Sequence, residues 1–112
     1  MKYIIVYLAK HKLDSVLLEL GKFKSLPGIS VFKSVEGFGR GRGGHDGSDA
    51  AGFNMLHRSK LEIICNDNEV DALVPHIEHS ASTGMKGDGK IFVLPVEQAV
   101  RISTHERGET AV

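Results

Sequence analysis

From about Gly39 to His57 the chain shows no apolar period, and this stretch divides it into two halves built alike. It carries glycine at 39, 41, 43, 44, 47 and 52, with Asp46, Ser48 and Asp49 between them. That is too long for an ordinary hairpin connection, and long irregular loops in compact domains are either functional or disordered. Before it, residues 2–9 form a continuous run rich in Ile, Val and Tyr, which predicts a central strand. Leu13, Val16, Leu17, Leu20 and Phe23 then recur at helical spacing on one face. Pro27-Gly28 turns the chain into β-type residues over 29–36. After the glycine-rich stretch the same order returns. Residues 58–65 read as a strand, and Asn66 with Glu69 fits a capping box. Val70, Leu73, Val74, Ile77 and Ala81 mark a second helix, and Lys90–Leu94 a last strand ended by Pro95. Pro75 lacks an N–H and clashes with the preceding turn, so it either kinks that helix or marks its start. Residues 96–100 predict one helical turn and 106–112 a loose tail.

The order β-α-β-loop-β-α-β is the split βαβ pattern of a ferredoxin-like α+β sandwich, here one domain over residues 1–112. Its helices cover one face of an antiparallel sheet. The runs at 2–9 and 58–65 read as buried on both faces. A chain of 112 residues has no second helical layer to spend on the other face. Self-association, with a symmetric ring as one solution, is the expected cover.

Composition narrows the function. The formal net charge is zero, whereas a nucleic-acid-binding domain carries an excess of cations. The single cysteine, Cys65, excludes an internal disulfide and sits in an apolar run, where it reads as a small buried hydrophobe. Residues 1–9 resemble a short signal segment but run directly into Lys10-His11-Lys12 with no small-residue cleavage site, so a strand is the better reading. No segment is long enough to span a bilayer, and a cytoplasmic location without membrane insertion is expected.

Two stretches mix glycine with fixed cations: Gly37-Phe38-Gly39-Arg40-Gly41-Arg42-Gly43-Gly44 and Thr83-Gly84-Met85-Lys86-Gly87-Asp88-Gly89-Lys90. Glycine lets successive backbone N–H groups face one cavity, and Lys or Arg adds the charge a phosphate attracts. The pair predicts a polyphosphate or nucleotide site assembled from both stretches. Gly87 and Gly89 would turn N–H groups toward phosphate oxygens, with Lys90 as a point charge and Arg40 as a clamp. Asp88 would order the loop, or hold a metal or a lysine. Metal ligation has weaker candidates: His76 and His79 at i, i+3, and His45 beside Asp46 and Asp49. No three ligands stand at a diagnostic spacing. Paired carboxylates or a Ser–His–Asp set for catalysis are not apparent, so no enzyme is expected.

These residues occur in a familiar order. Lys12-Leu13-Asp14 opens a helix, and Gly37-Phe38-Gly39-Arg40 enters a long loop. Thr83-Gly84-x-x-Gly87-Asp88-Gly89-Lys90-Ile91-Phe92-Val93 and Val100-Arg101-Ile102 follow. Over nearly its whole length the chain resembles the PII signal-transduction proteins of nitrogen regulation. The resemblance implies a ferredoxin-like homotrimer that binds ATP or ADP, with or without Mg²⁺, in the clefts between subunits. Residues of about 39–57 would be the T-loop that contacts a target enzyme, transporter or regulator. Residues 83–90 would be the B-loop, and 101–112 the C-loop and tail. Nucleotide contacts would fall on Gly37, Gly39, Arg40, Ile64, Gly87, Asp88, Gly89, Lys90, Arg101 and Ser103. Gly41, Arg42 and Arg58 would meet 2-oxoglutarate or a partner.

The chain also departs from the family pattern. Gly41 stands where the family has a Gln that helps hold Mg-ATP and 2-oxoglutarate, and it has no side chain to do so. Arg58 replaces the Lys that grips the 2-oxoglutarate carboxylate, and Ser103 replaces a second Arg. The loop tyrosine that many members modify is absent, since Tyr3 and Tyr7 both lie in the first strand. Two functions follow: a nucleotide-reading regulator of nitrogen metabolism, or a small-ligand or metal-responsive module regulating a transporter. Saturable metal binding that drops on replacing His45, or His76 and His79 together, would mark the second.

Overall fold

A computed structural model describes residues 1–39 and 55–112, together with the backbone of residues 44–45 and 53–54. Strand β1 spans Lys2–Ala9 and leads through a 3-10 turn at Lys10–Lys12 into helix α1, Leu13–Leu20. Strand β2 covers Ile29–Gly37, and the two-residue strands β3 (Gly44–His45) and β4 (Phe53–Asn54) pair with each other. Strand β5 runs Leu56–Cys65, a 3-10 turn occupies Asp67–Glu69, helix α2 spans Val70–Ala81, and β6 covers Gly89–Pro95. The main sheet has the order β2-β5-β1-β6, antiparallel throughout. Each helix thus connects two strands separated by one other, the ferredoxin-like arrangement the sequence predicts.

Strand β5 starts two residues before the predicted strand, so Leu56 and His57 leave the long loop and pair with Gly37 and Glu36. At the next helix, the Asn66 N–H donates to Glu69 Oε1 at 2.9 Å, half of the predicted capping box. Pro75 lies inside α2, which continues to Ala81. The carbonyl of Asp71, which loses its partner, belongs to an exposed residue that water can reach.

Alternation along the central strands builds the core. Ile4, Val6 and Leu8 of β1 and Leu61, Ile63 and Cys65 of β5 are buried against Val16 and Leu20 of α1 and Leu73 and Ile77 of α2. Burial pushes the Cys65 thiol up from its ordinary range, which keeps it protonated and unreactive. The opposite sheet face is open in the single chain, and it is the face that the sequence reading expects self-association to cover. Within one chain Tyr3, Ile5 and Tyr7 are only half-buried, and Phe32, Phe92 and Leu94 are 43%, 46% and 40% exposed. Lys60 and Glu62 share this face with them, since their register partners are Tyr7 and Ile5. The Lys60 ammonium lies 5.7 Å from the Tyr7 ring centre and 5.3 Å from that of Phe32. The Tyr3 hydroxyl donates to Glu62 and, chiefly through that bond, its pKa is pushed up to about 12.

The C-terminal residues correct an expectation. Residues 96–100 form no helical turn, and 106–112 are ordered. Val100 bridges Arg107, the Arg101 N–H donates to the Glu106 carbonyl at 2.9 Å, and Gly108–Ala111 forms a 3-10 turn. The hairpin turns at His105, whose φ of 63° is left-handed. An L side chain there costs about 1–2 kcal/mol. His105→Gly is therefore expected to raise stability by about 1 kcal/mol in chemical denaturation. A loss of stability would mean that the imidazole compensates for its backbone.

Candidate functional site

The antiparallel register of β1 and β6 sets Lys90 opposite Tyr7 and Gly89 opposite Leu8, at one end of the sheet. The loop that precedes β6 can turn so tightly because Gly84, Gly87 and Gly89 all take positive φ, at 78°, 89° and 117°. Asp88 fastens the loop to itself. The Thr83 and Gly84 N–H groups donate to Asp88 Oδ2 at 2.7 and 3.1 Å, and the Thr83 hydroxyl donates to Oδ1. The hydroxyl bond and then the backbone bonds hold the Asp88 carboxyl below the usual carboxylate range. Of the roles open to Asp88, ordering the loop is the one its hydrogen bonds perform.

A cleft of about 380 Å³ opens beside this loop. Gly39, Arg58, Gly87, Gly89 and Lys90 line it together with the aromatic residues Tyr7, Phe38 and Phe92. Tyr7 and Phe92 meet edge to face with ring centres 6.4 Å apart. The Arg58 Nη1 donates to the Gly87 carbonyl at 3.0 Å. The cleft therefore combines aromatic rings, able to meet a flat ring, with glycine backbone and fixed cations. Its volume falls in the ordinary range for small-molecule sites, roughly 300–1,000 Å³.

The site residues predicted from sequence fall in two groups. Gly39, Arg58, Gly87, Gly89 and Lys90 line this cleft, Asp88 shapes it, and Gly37 ends β2 two residues before Gly39. Ile64 lies elsewhere. It pairs with Tyr3, about 13 Å along β1 from Tyr7 by strand rise, and lines a separate cleft with Ile29, Val96, Val100 and Val112. Arg101 follows Val100 and donates to the Val112 carbonyl at 3.5 Å, and Ser103 is exposed in the same hairpin. Arg40, Gly41, Arg42 and the His45 side chain lie outside the described residues. His76 packs edge-on against Phe23 at 4.9 Å. Among the described residues no three His, Cys, Asp or Glu side chains converge on a point that could hold a metal ion. The sequence reading passed over Tyr7, Phe38 and Phe92. Strict alternation from the buried Val6 and Leu8 would have placed Tyr7 on the other face, beside Phe92.

The family model for nitrogen regulatory protein P-II matches residues 1–106. Nitrogen regulatory protein P-II of Nostoc punctiforme is 39% identical over 114 aligned positions that cover all of both chains. Nitrogen regulatory protein GlnK1 of Methanosarcina mazei is 37% identical over all of this chain and 97% of its own. Among solved structures, Arabidopsis thaliana PII bound to citrate superposes with a TM-score of 0.79 at 32% identity, over 99% of this chain and 91% of that one. With its site loop, its strand order and its full-length relatives in agreement, this chain belongs to the nitrogen regulatory protein P-II family.

Proposed function

We propose that the protein is a non-enzymatic signalling regulator that binds ATP or ADP between subunits and controls a target protein through the loop after Gly39. Its family places it in nitrogen regulation. The observation that carries the nucleotide reading is the cleft at Gly87–Lys90. Two positive-φ glycines, the Lys90 side chain and the Tyr7, Phe38 and Phe92 rings line it together. A polyphosphate with an attached flat base has both kinds of surface to meet there. Ile64 lies about 13 Å along the sheet from Tyr7 and lines another cleft with Val100, the residue before Arg101. A neighbouring copy that brings its own Ile64 and Arg101 to the cleft would complete it. The open, half-apolar sheet face gives such copies a surface to pack on. A homotrimer is the closed ring that supports this reading.

Nucleotide would act on the target by binding one conformation of the loop better than another, and the shift is limited to that difference in affinity. Calorimetric titration with ATP and with ADP, each with Mg²⁺ and with or without 2-oxoglutarate, tests the reading. Nucleotide binding is expected, and 2-oxoglutarate is expected to add little, because Gly41 has no side chain to meet it. Lys90→Ala is expected to weaken ATP about ten- to a hundredfold, the scale of one charge-assisted bond, while the trimer persists. Unchanged affinity in that variant would reject the phosphate assignment. Saturable binding of a divalent metal in place of nucleotide would turn the function to a metal-responsive module.

A further inference from the structure

Arg58 is the side chain that two clefts share. On one side of it lies the cleft with Gly87, Gly89 and Lys90. On the other lies a second cleft, of about 550 Å³, with Lys10, His11, His57 and Lys86. The strand register explains how one residue of β5 reaches the loop before β6. Arg58 pairs with Ala9, the last residue of the central strand β1, and cross-strand partners share a face. The loop lies beyond β1, roughly two strand spacings or 9–10 Å from β5. A long side chain passing over a small one spans that gap, and Ala9 is the small one. The guanidinium ends on the Gly87 carbonyl at 3.0 Å, in a half-buried position. The peptide it grips joins Gly87 to Asp88 and lies between the two positive-φ glycines.

We propose that Arg58 is a positioning residue for the phosphate-binding loop, fixing the Gly87–Asp88 peptide so that the loop's N–H groups face the cleft. This rests on the nucleotide reading of that cleft, and it assigns Arg58 a task other than gripping a carboxylate ligand. Two fastenings then hold the loop. Asp88 ties its start at Thr83 and Gly84, and Arg58 ties its far side to the sheet. A guanidinium bound to a carbonyl orients that carbonyl, and the N–H on the same planar peptide points the opposite way. A lysine is a compact point charge without the planar fork, so Arg58→Lys is not conservative here.

The test compares the full-length protein with Arg58→Met, which keeps an apolar stem, and with Arg58→Lys. In the nucleotide-free protein, both variants are expected to shift the amide NMR resonances of Asp88 and Gly89 and to leave the core helix resonances in place. Added ATP with Mg²⁺ is expected to bind Arg58→Met about tenfold more weakly, the loss for one charge-assisted bond. Methylguanidinium supplied to Arg58→Ala is expected to recover part of that affinity and to move the Asp88 amide back. Asp88 and Gly89 amides unmoved in both variants would overturn the proposal, whatever happens to affinity, because Arg58 would then act on the ligand directly. If the wild-type chain binds no ATP, the nucleotide reading fails and the amide shifts still decide whether Arg58 sets the loop.

Discussion

Gly89→Ala is expected to cost the protein about 3 kcal/mol or more and to abolish nucleotide binding at the cleft. A Cβ built on Gly89 would lie 1.8 Å from the Tyr7 carbonyl oxygen and 2.8 Å from the Tyr7 carbonyl carbon. Both atoms are backbone of the central strand, so no side chain can swing aside to admit the methyl. The residue also holds φ at 117°, where L side chains are strained in any surroundings. The first pairs of the β1–β6 ladder, Leu8 with Gly89 and Tyr7 with Lys90, would have to part. That separation would carry Lys90 and the Gly87 peptide away from Tyr7 and Arg58. Gly84→Ala is the control. Gly84 has φ 78° but nothing within 4 Å of its added Cβ, so only the backbone term of about 1–2 kcal/mol applies. Urea denaturation of both variants separates the two effects. Equal losses would mean that the Tyr7 contact relaxes freely and that the loop tolerates a wider approach to β1.

The residues differ in how openly they announce this structure. Strand β1 lies where its continuous apolar run predicts, because a run of Ile, Val and Tyr has few other ways to fold. The helical segment starts after Asn66 as its cap predicts, as a 3-10 turn that leads into α2 at Val70, and the penalty of Pro75 is offset by Val70, Leu73 and Ile77 on the packed face. The error at the tail is of another kind. Arg101, His105 and Glu106 carry no hydrophobic period, and their order comes from backbone hydrogen bonds that composition does not encode. At the cleft, the glycine and lysine positions were legible because both glycine-rich stretches stand out in the sequence, and the structure brings Gly39, Gly87, Gly89 and Lys90 to one place. Tyr7 and Phe92 were not, since an aromatic residue in a strand looks like core until its face is known, and Phe38 follows β2 inside the glycine-rich stretch. The role of Arg58 was hidden for a further reason. It depends on the pairing of Ala9 with Arg58, which is a fact of sheet register.

Register also decides which variant should separate the subunits. Leu94 pairs with Tyr3, which puts it on the open sheet face, and it is 40% exposed in the single chain. It lines neither the Gly87–Lys90 cleft nor the one at Ile64. Leu94→Asp is therefore expected to leave the chain folded, because the core side chains lie on the opposite face. In a ring that packs these faces together, the same change buries a carboxylate beside Tyr3 and Phe92, once per subunit. An unpaired buried charge costs several kcal/mol, enough to dissociate a small interface. Light scattering should give the mass of one chain, against three for the parent protein. Nucleotide affinity should fall about a hundredfold or more even though every residue of the Gly87–Lys90 cleft is intact, because Ile64, Arg101 and Ser103 of the neighbour would be gone. A monomer that keeps full affinity would place the whole nucleotide site within one chain. A trimer that survives the aspartate would move the subunit contact off this sheet face, and Lys60 and Glu62 would then look out on solvent or on another partner.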